Sequence, residues 1–191
     1  MMQQYLALLR GINVGTNGRI RMDALKLLME HAGFSRVVTY IQSGNVLFDS
    51  ELTELFARET IERALKDDAN ITTTAVLRTA EELSELIRNC PFSEEEIAVA
   101  QASNEEGESF YVCLLPREPD EKTLEKFSAL ETGNDVFVVS HRNIYLLLKQ
   151  SIRTSKLAIR LQKIVPVMTV RNWNTITKLN ELSCQQNGGK S

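Results

Sequence analysis

Metal and disulfide chemistry have little to work with in this chain, which contains three cysteines and two histidines. Cys90, Cys113 and Cys184 are odd in number and far apart, and His31 and His141 stand alone, so neither a zinc-ligand spacing nor a disulfide framework can be drawn. No metal site is expected. Positive charge is also scarce: 22 Lys and Arg against 25 Asp and Glu leave a formal net charge of -3. No global field then holds a polyanion by counterion release, and nucleic acid is disfavoured as a partner. No apolar run approaches the roughly 18 residues that a membrane span requires, and the segment Met1–Tyr5 lacks the basic and apolar regions of a secretory signal. A cytoplasmic protein with no membrane partner is expected. Asn70-Ile71-Thr72 matches a glycosylation sequon but has no role in that setting.

What the chain does have is periodicity. Tyr5 to Arg10 reads as an apolar strand, and Met22 to Ala32 as a helix with Leu25, Leu28 and Met29 at helical spacing and Gly33 as its stop. Arg36 to Gln42 and Asn45 to Asp49 read as a hairpin around Ser43-Gly44. Thr53 to Lys66 is amphipathic, with Leu55, Phe56, Ile61 and Leu65 predicted on one face, and Thr72 to Arg78 is rich in strand formers. The order is β-α-β-β-α-β, followed by an extra helix over Ala80 to Asn89.

The same order returns downstream: strand Phe110–Leu115, helix Asp120–Leu130, strands Asp135–Ser140 and Asn143–Lys149, helix Ser155–Ile164, strand Val167–Arg171 and a last helix from Trp173 to Leu182. The expected fold class is therefore α+β, with two tandem ferredoxin-like subdomains, each followed by an extra helix. Residues 1–92 form the first and 109–191 the second, with a disordered Gly188–Ser191 tail; the acidic stretch 93–108 is expected to be a linker loop. Both faces of the strands Tyr5–Leu9 and Phe110–Leu115 are apolar, which predicts burial on both sides and removes an exposed aromatic platform for RNA bases.

In this topology the loop after the first strand and the turn of the hairpin share one end of the sheet. Arg10, Gly11, Asn13 and Gly15 should thus neighbour Gln42, Ser43 and Asn45. Glycines after a strand and before a helix can line a phosphate or carboxylate with backbone N–H groups, although the spacing fits neither the dinucleotide fingerprint nor the P-loop. Arg10 would supply charge and Asn13 orientation, with Arg19 and Arg21 adding charge; turn geometry alone would also account for Gly44 and Asn45. Ser43 lacks a base beside it in sequence, so no nucleophile is assigned. A third cluster, Arg171, Asn174 and Lys178, lies around the start of the last helix, where Asn172 is the natural cap and Trp173, Ile176, Leu179 and Leu182 mark a packed face. Glu94, Glu95, Glu96, Glu105, Glu106 and Glu108 read as a solvated loop surface, and Cys113 as core.

The segments Tyr5-Leu-Ala-Leu-Leu-Arg-Gly-Ile-Asn-Val-Gly15, Thr39-Tyr-Ile-Gln-Ser-Gly-Asn-Val46 and Thr169-Val-Arg-Asn-Trp-Asn-Thr175 closely resemble hallmark segments of the domain-of-unknown-function 1697 family. That resemblance implies a mostly bacterial family with two ferredoxin-like subdomains, and it implies no activity or cofactor. In Asn89-Cys90-Pro91-Phe92, Cys90 interrupts an Asn-Pro-Phe run that the family more often shows, so no role is given to it. The residues together lead to one reading, a small anionic or nucleotide-like ligand held at the strand-end loops by Arg10, Gly11, Asn13, Gly15, Gln42, Ser43 and Asn45, with Arg171, Asn174 and Lys178 completing the site. No acid/base pair is visible, so enzymatic activity stays open and electrostatic positioning is easier to support than covalent catalysis. The competing reading is a protein-interaction or structural module without a small ligand.

Overall fold

The computed structural model describes residues 1–14 and 18–188. The expected site residue Gly15 and the tail residues Gly189–Ser191 lie outside the described residues. The chain folds as two compact units, Met1–Glu85 with Lys178–Ser191, and Leu86–Thr177.

The first unit holds β1 (Gln3–Leu9), α1 (Met22–His31), β2 (Ser35–Tyr40), β3 (Asn45–Ser50), α2 (Glu54–Ala69) and β4 (Ala75–Thr79). Its four strands are all antiparallel to their neighbours in the order β2-β3-β1-β4. Alternation along the strands sends Tyr5, Ala7, Leu9, Val46, Phe48, Ala75 and Leu77 into a core with Leu25, Met29, Ile61 and Leu65 of the helices. Each large apolar side chain among them contributes roughly 1.5–3 kcal/mol on leaving water. Leu6, Leu8, Leu47 and Val76 on the opposite face are also buried, as the apolar run of β1 predicts.

Two details of this unit differ from expectation. The buried stripe of α2 is Ala57, Ile61 and Leu65, at intervals of one helical turn, while Leu55 and Phe56 point to solvent. The hairpin turn spans the four residues 41–44 rather than two, because Ile41 already leaves the strand with φ 47°.

The second unit repeats the order with β5 (Phe110–Leu114), α5 (Glu121–Ser128), β6 (Val136–Ser140), β7 (Asn143–Leu147), α6 (Lys156–Ile164) and β8 (Thr169–Asn172). Its sheet runs β6-β7-β5-β8, again antiparallel throughout. Cys113, Ile144 and Leu146 pack with Phe127, Leu157 and Leu161 of its helices. The buried Tyr145 hydroxyl donates to the Leu86 carbonyl at 2.7 Å.

Among the described residues, three further helices lie outside the two β-α-β-β-α-β sets: α3 (Ala80–Arg88), α4 (Glu94–Ala102) and α7 (Trp173–Gly188). The expected linker loop 93–108 is therefore corrected. Ser93 Oγ accepts from the Glu96 amide while Glu96 accepts from the Ser93 amide, a reciprocal capping box that starts α4 inside the acidic stretch. The units also differ from the expected limits, since residues 178–191 group with the first. Hydrogen bonds give the reason: Ser183 Oγ and Asn187 Nδ2 donate to Gln4 Oε1 at 2.6 and 3.0 Å, and Gln4 Nε2 donates to Gln186 Oε1 at 2.8 Å. Arg36, at a register shift within β2 with φ 49°, donates to Asp49 at 2.7 Å and to the Gln186 carbonyl at 2.8 Å. No helix among the described residues is long and apolar enough to cross a membrane.

Candidate functional site

The end of β1 and the β2–β3 turn meet as the sequence predicts. The Leu9 amide donates to the Gly44 carbonyl at 2.8 Å, and Ile12, 2% exposed, sits against Gly44. Asn13 holds the two segments together. Its Nδ2 donates to the carbonyls of Gln42 at 2.8 Å and Ile20 at 2.9 Å, its Oδ1 accepts from the Ile20 amide at 2.8 Å, and its own amide donates to the Gly18 carbonyl at 2.9 Å. Asparagine tolerates the left-handed backbone required there, φ 59°.

On the other side, the Arg10 amide donates to the Thr74 carbonyl at 3.0 Å and the Thr73 hydroxyl to the Arg10 carbonyl at 2.6 Å. Three chain segments thus fix the backbone of this corner. Asn45, fully buried, donates from Nδ2 to the Tyr40 carbonyl at 3.1 Å and to Ser43 Oγ at 2.9 Å, closing the turn from within.

The expected site residues therefore separate by role. Arg10, Gly11 and Gln42 are exposed at the corner, and the Arg10 guanidinium has no hydrogen-bond or ion-pair partner among the described residues. Asn13 and Asn45 spend their carboxamides inside the protein, and Ser43 accepts from Asn45. Of the added charges, Arg21 pairs with Asp23 at 2.9 Å on the surface. Ile41 is a β-branched residue with positive φ, 48% exposed, and Val14 on the facing loop is 70% exposed.

The third cluster is divided between the units, Arg171 and Asn174 in the second and Lys178 in the first. Arg171 on β8 donates to Thr169 Oγ1 and to the Val170 carbonyl, both at 2.8 Å, and burial pushes its guanidinium down to about 10. Asn172 caps α7, accepting from the Thr175 amide at 2.9 Å. Asn174 Nδ2 donates to Glu108 Oε1 at 3.0 Å in the second unit. Lys178, in the first unit, donates to Glu181 at 2.9 Å, and that bond raises its ammonium above the usual lysine range.

The same corner is built again in the second unit. The Leu115 amide donates to the Arg142 carbonyl at 2.9 Å, His141 takes φ 50° where Ile41 takes 47°, and Asn143 pairs with Leu114 as Asn45 pairs with Leu8. Its side chains differ. His141 Nδ1 lies 3.0 Å from Glu118 Oε1.

A family model described as "Protein of unknown function (DUF1697)" matches residues 2–145. The chain belongs to this family. The matched region contains both segments of the first DUF1697 corner and ends before Arg171, Asn174 and Lys178. Among solved structures, the conserved bacterial protein SP0830 from Streptococcus pneumoniae is similar in fold, with a TM-score of 0.78 at 22% identity over 96% of this chain and 99% of that one. No curated protein matches.

Sequence reasoning misses several residues that shape the molecule. The stretch before β5 reads as a solvated loop, yet Asn104 within it is buried and donates to the carbonyls of Glu108 and Gln150 at 3.0 and 3.2 Å. The signal present in the sequence is the Ser93-x-x-Glu96 capping box, which announces a helix. Asp135, 2% exposed, accepts from the Lys149 amide at 3.0 Å, from Gln150 Nε2 at 2.8 Å and from Ser155 Oγ at 2.9 Å, bracing the start of α6.

Proposed function

We propose that this DUF1697 protein acts in the cytoplasm by binding a small anionic or nucleotide-like ligand at the strand-end corner of its first unit. The observation that carries this reading is the Arg10 guanidinium, exposed and without a partner among the described residues, on a backbone anchored by Leu9–Gly44, Thr73 and Asn13. A charge on a fixed strand end is preorganised for an anion. Arg10 supplies the attraction, Gln42 a hydrogen-bonding amide, and Gly11 open space beside the backbone, since no described atom lies within 4 Å of where its Cβ would stand. Asn13 and Asn45 act on the ligand through the backbone they position. Gly15 and Lys178 of the first unit, the latter engaged by Glu181, are part of this reading, while Arg171 and Asn174 bond within the second unit, to Thr169 and Glu108.

Thermal-shift screening of wild type and Arg10→Gln against phosphorylated metabolites, nucleotides and carboxylates tests it. A ligand at 100 times its Kd stabilises by about 2.7 kcal/mol; wild type should respond to one compound class and Arg10→Gln should not. Equal responses, or none across the panel, would remove the reading.

A second reading rests on Ile41 and Val14. An exposed β-branched residue held at positive φ stores backbone strain, and two exposed aliphatic side chains at one corner favour a protein-interaction module. It predicts a stable complex or oligomer in gel filtration that Ile41→Asn disrupts.

We also infer that both units are ferredoxin-like and arose by duplication of one β-α-β-β-α-β segment. The shared strand order supports this, as do the paired details Leu9–Gly44 with Leu115–Arg142 and Asn45 with Asn143.

A further inference from the structure

The segment Trp173-Asn174 and the acidic stretch before β5, neither used by the first corner, come together in the second unit around a cleft of 750 Å³. Its floor is aromatic, with Phe110 and Trp173 stacked at 4.5 Å between centroids and 23° between planes. Ile97 of α4 forms an apolar side, and Glu94, Glu108 and Asn174 form the polar rim. Among the described residues, no lysine or arginine lines it. We propose that this cleft binds an organic ammonium cation.

Charge sets the sign of the ligand. Neither Glu94 nor Glu108 has an ion-pair partner among the described residues, so an anion meets repulsion and a cation meets two carboxylates. Organic character follows from the rest of the lining. Among the described residues no three acidic, histidine or cysteine side chains gather to hold a metal, so a bare inorganic ion finds too few oxygen ligands here. A methylated ammonium group, in contrast, gains from the Trp173 ring in the lining, indole being the strongest of the aromatic partners for a cation, and from Ile97.

The rim is also built to stay in place. Asn174 Nδ2 holds Glu108 Oε1 at 3.0 Å, Asn104 holds the Glu108 carbonyl at 3.0 Å, and Gln101 brackets the same residue by donating to the Gly107 carbonyl at 2.9 Å and accepting from the Ser109 amide at 3.1 Å. The Phe92 ring braces Phe110 edge-on at 5.5 Å. A carboxylate fixed in this way loses little freedom when a cation arrives.

Trp173 is the single tryptophan of the chain, so intrinsic tryptophan fluorescence reads the cleft alone. Choline would be titrated at constant ionic strength, beside 3,3-dimethylbutan-1-ol, its neutral isostere. Choline should give a saturable change that the alcohol does not. Glu108→Gln, which keeps the hydrogen bond from Asn174, should weaken choline by about fivefold or more, and Glu94→Gln should weaken it in the same direction. Equal responses to choline and the alcohol, no saturable response, or a choline affinity unchanged in both variants that retain the wild-type circular dichroism would overturn the proposal.

Discussion

Replacing Gly44 by alanine puts the packing of the first corner to a quantitative test. Gly44 has φ +74°, and a Cβ there would stand 2.9 Å from Leu9 Cβ and 3.1 Å from Ile12 Cβ. Both neighbours are core atoms close to their own backbone, Leu9 fully buried and paired with β4, and Ile12 2% exposed, so neither can swing aside. The left-handed conformation costs an L-residue about 1–2 kcal/mol, and forcing a methyl into a filled core about 1–3 kcal/mol more. Gly44→Ala should therefore lose about 2–5 kcal/mol, a large share of the roughly 5–15 kcal/mol typical of a folded domain. Gly11 supplies the control. Its φ is +66°, yet no described atom lies within 4 Å of its Cβ position, so Gly11→Ala should lose only the conformational part, about 1–2 kcal/mol. Urea melts followed by far-UV circular dichroism measure both, with stability read from the midpoint at unchanged slope. Equal midpoints for the two variants would refute the claim that Gly44 is required by contact with Leu9 and Ile12.

Asn13→Ala should destabilise by about 1–3 kcal/mol, because the Ile20 amide and the carbonyls of Ile20 and Gln42 lose their shared partner. Asn13→Gly relieves the backbone but not the lost bonds, so it should recover only part of the urea midpoint; full recovery would show that the carboxamide holds nothing. The pH dependence of the melting temperature should carry a helix-cap component. Asp120 is held below the usual carboxylate range by the Thr123 hydroxyl and amide, and Glu96 by the Ser93 amide and hydroxyl. A depressed folded pKa means stability present above the unfolded value, about 4, and lost as pH falls through the lower folded one. Asp120→Asn keeps the cap and removes the titration, so its melting temperature should fall less than wild type between about pH 5 and pH 2; identical slopes would contradict the assignment.

The order of strands and helices is legible because apolar alternation and helical spacing survive in nearly every segment. The meeting of the Arg10 loop with the Gln42 turn follows from that order alone. What a sequence cannot separate is a polar side chain facing a ligand from one bracing the loop. Asn13 and Asn45 look no different from Gln42 as residue types, and only their partners, the Gln42 and Tyr40 carbonyls, distinguish them. The α2 face is misread because Leu55 and Phe56 precede the buried stripe by a fraction of a turn, so that hydrophobicity outvotes angular position. Helix α4 is hidden by its acidic first turn. Those glutamates suit the positive end of a helix as well as they suit a solvated loop.

The ties between Gln4 and Ser183, Gln186 and Asn187 have a consequence for biosynthesis. The first unit is discontinuous: its sheet is made early, but the segment that satisfies the buried Gln4 amide and caps the Arg36 guanidinium is translated after the whole of the second unit. The stretch Leu86–Thr177 is translated before that segment. In order of synthesis, then, the domain begun first is finished second: every strand of the second sheet is translated before Ser183, while the first unit still has polar groups waiting for their partners.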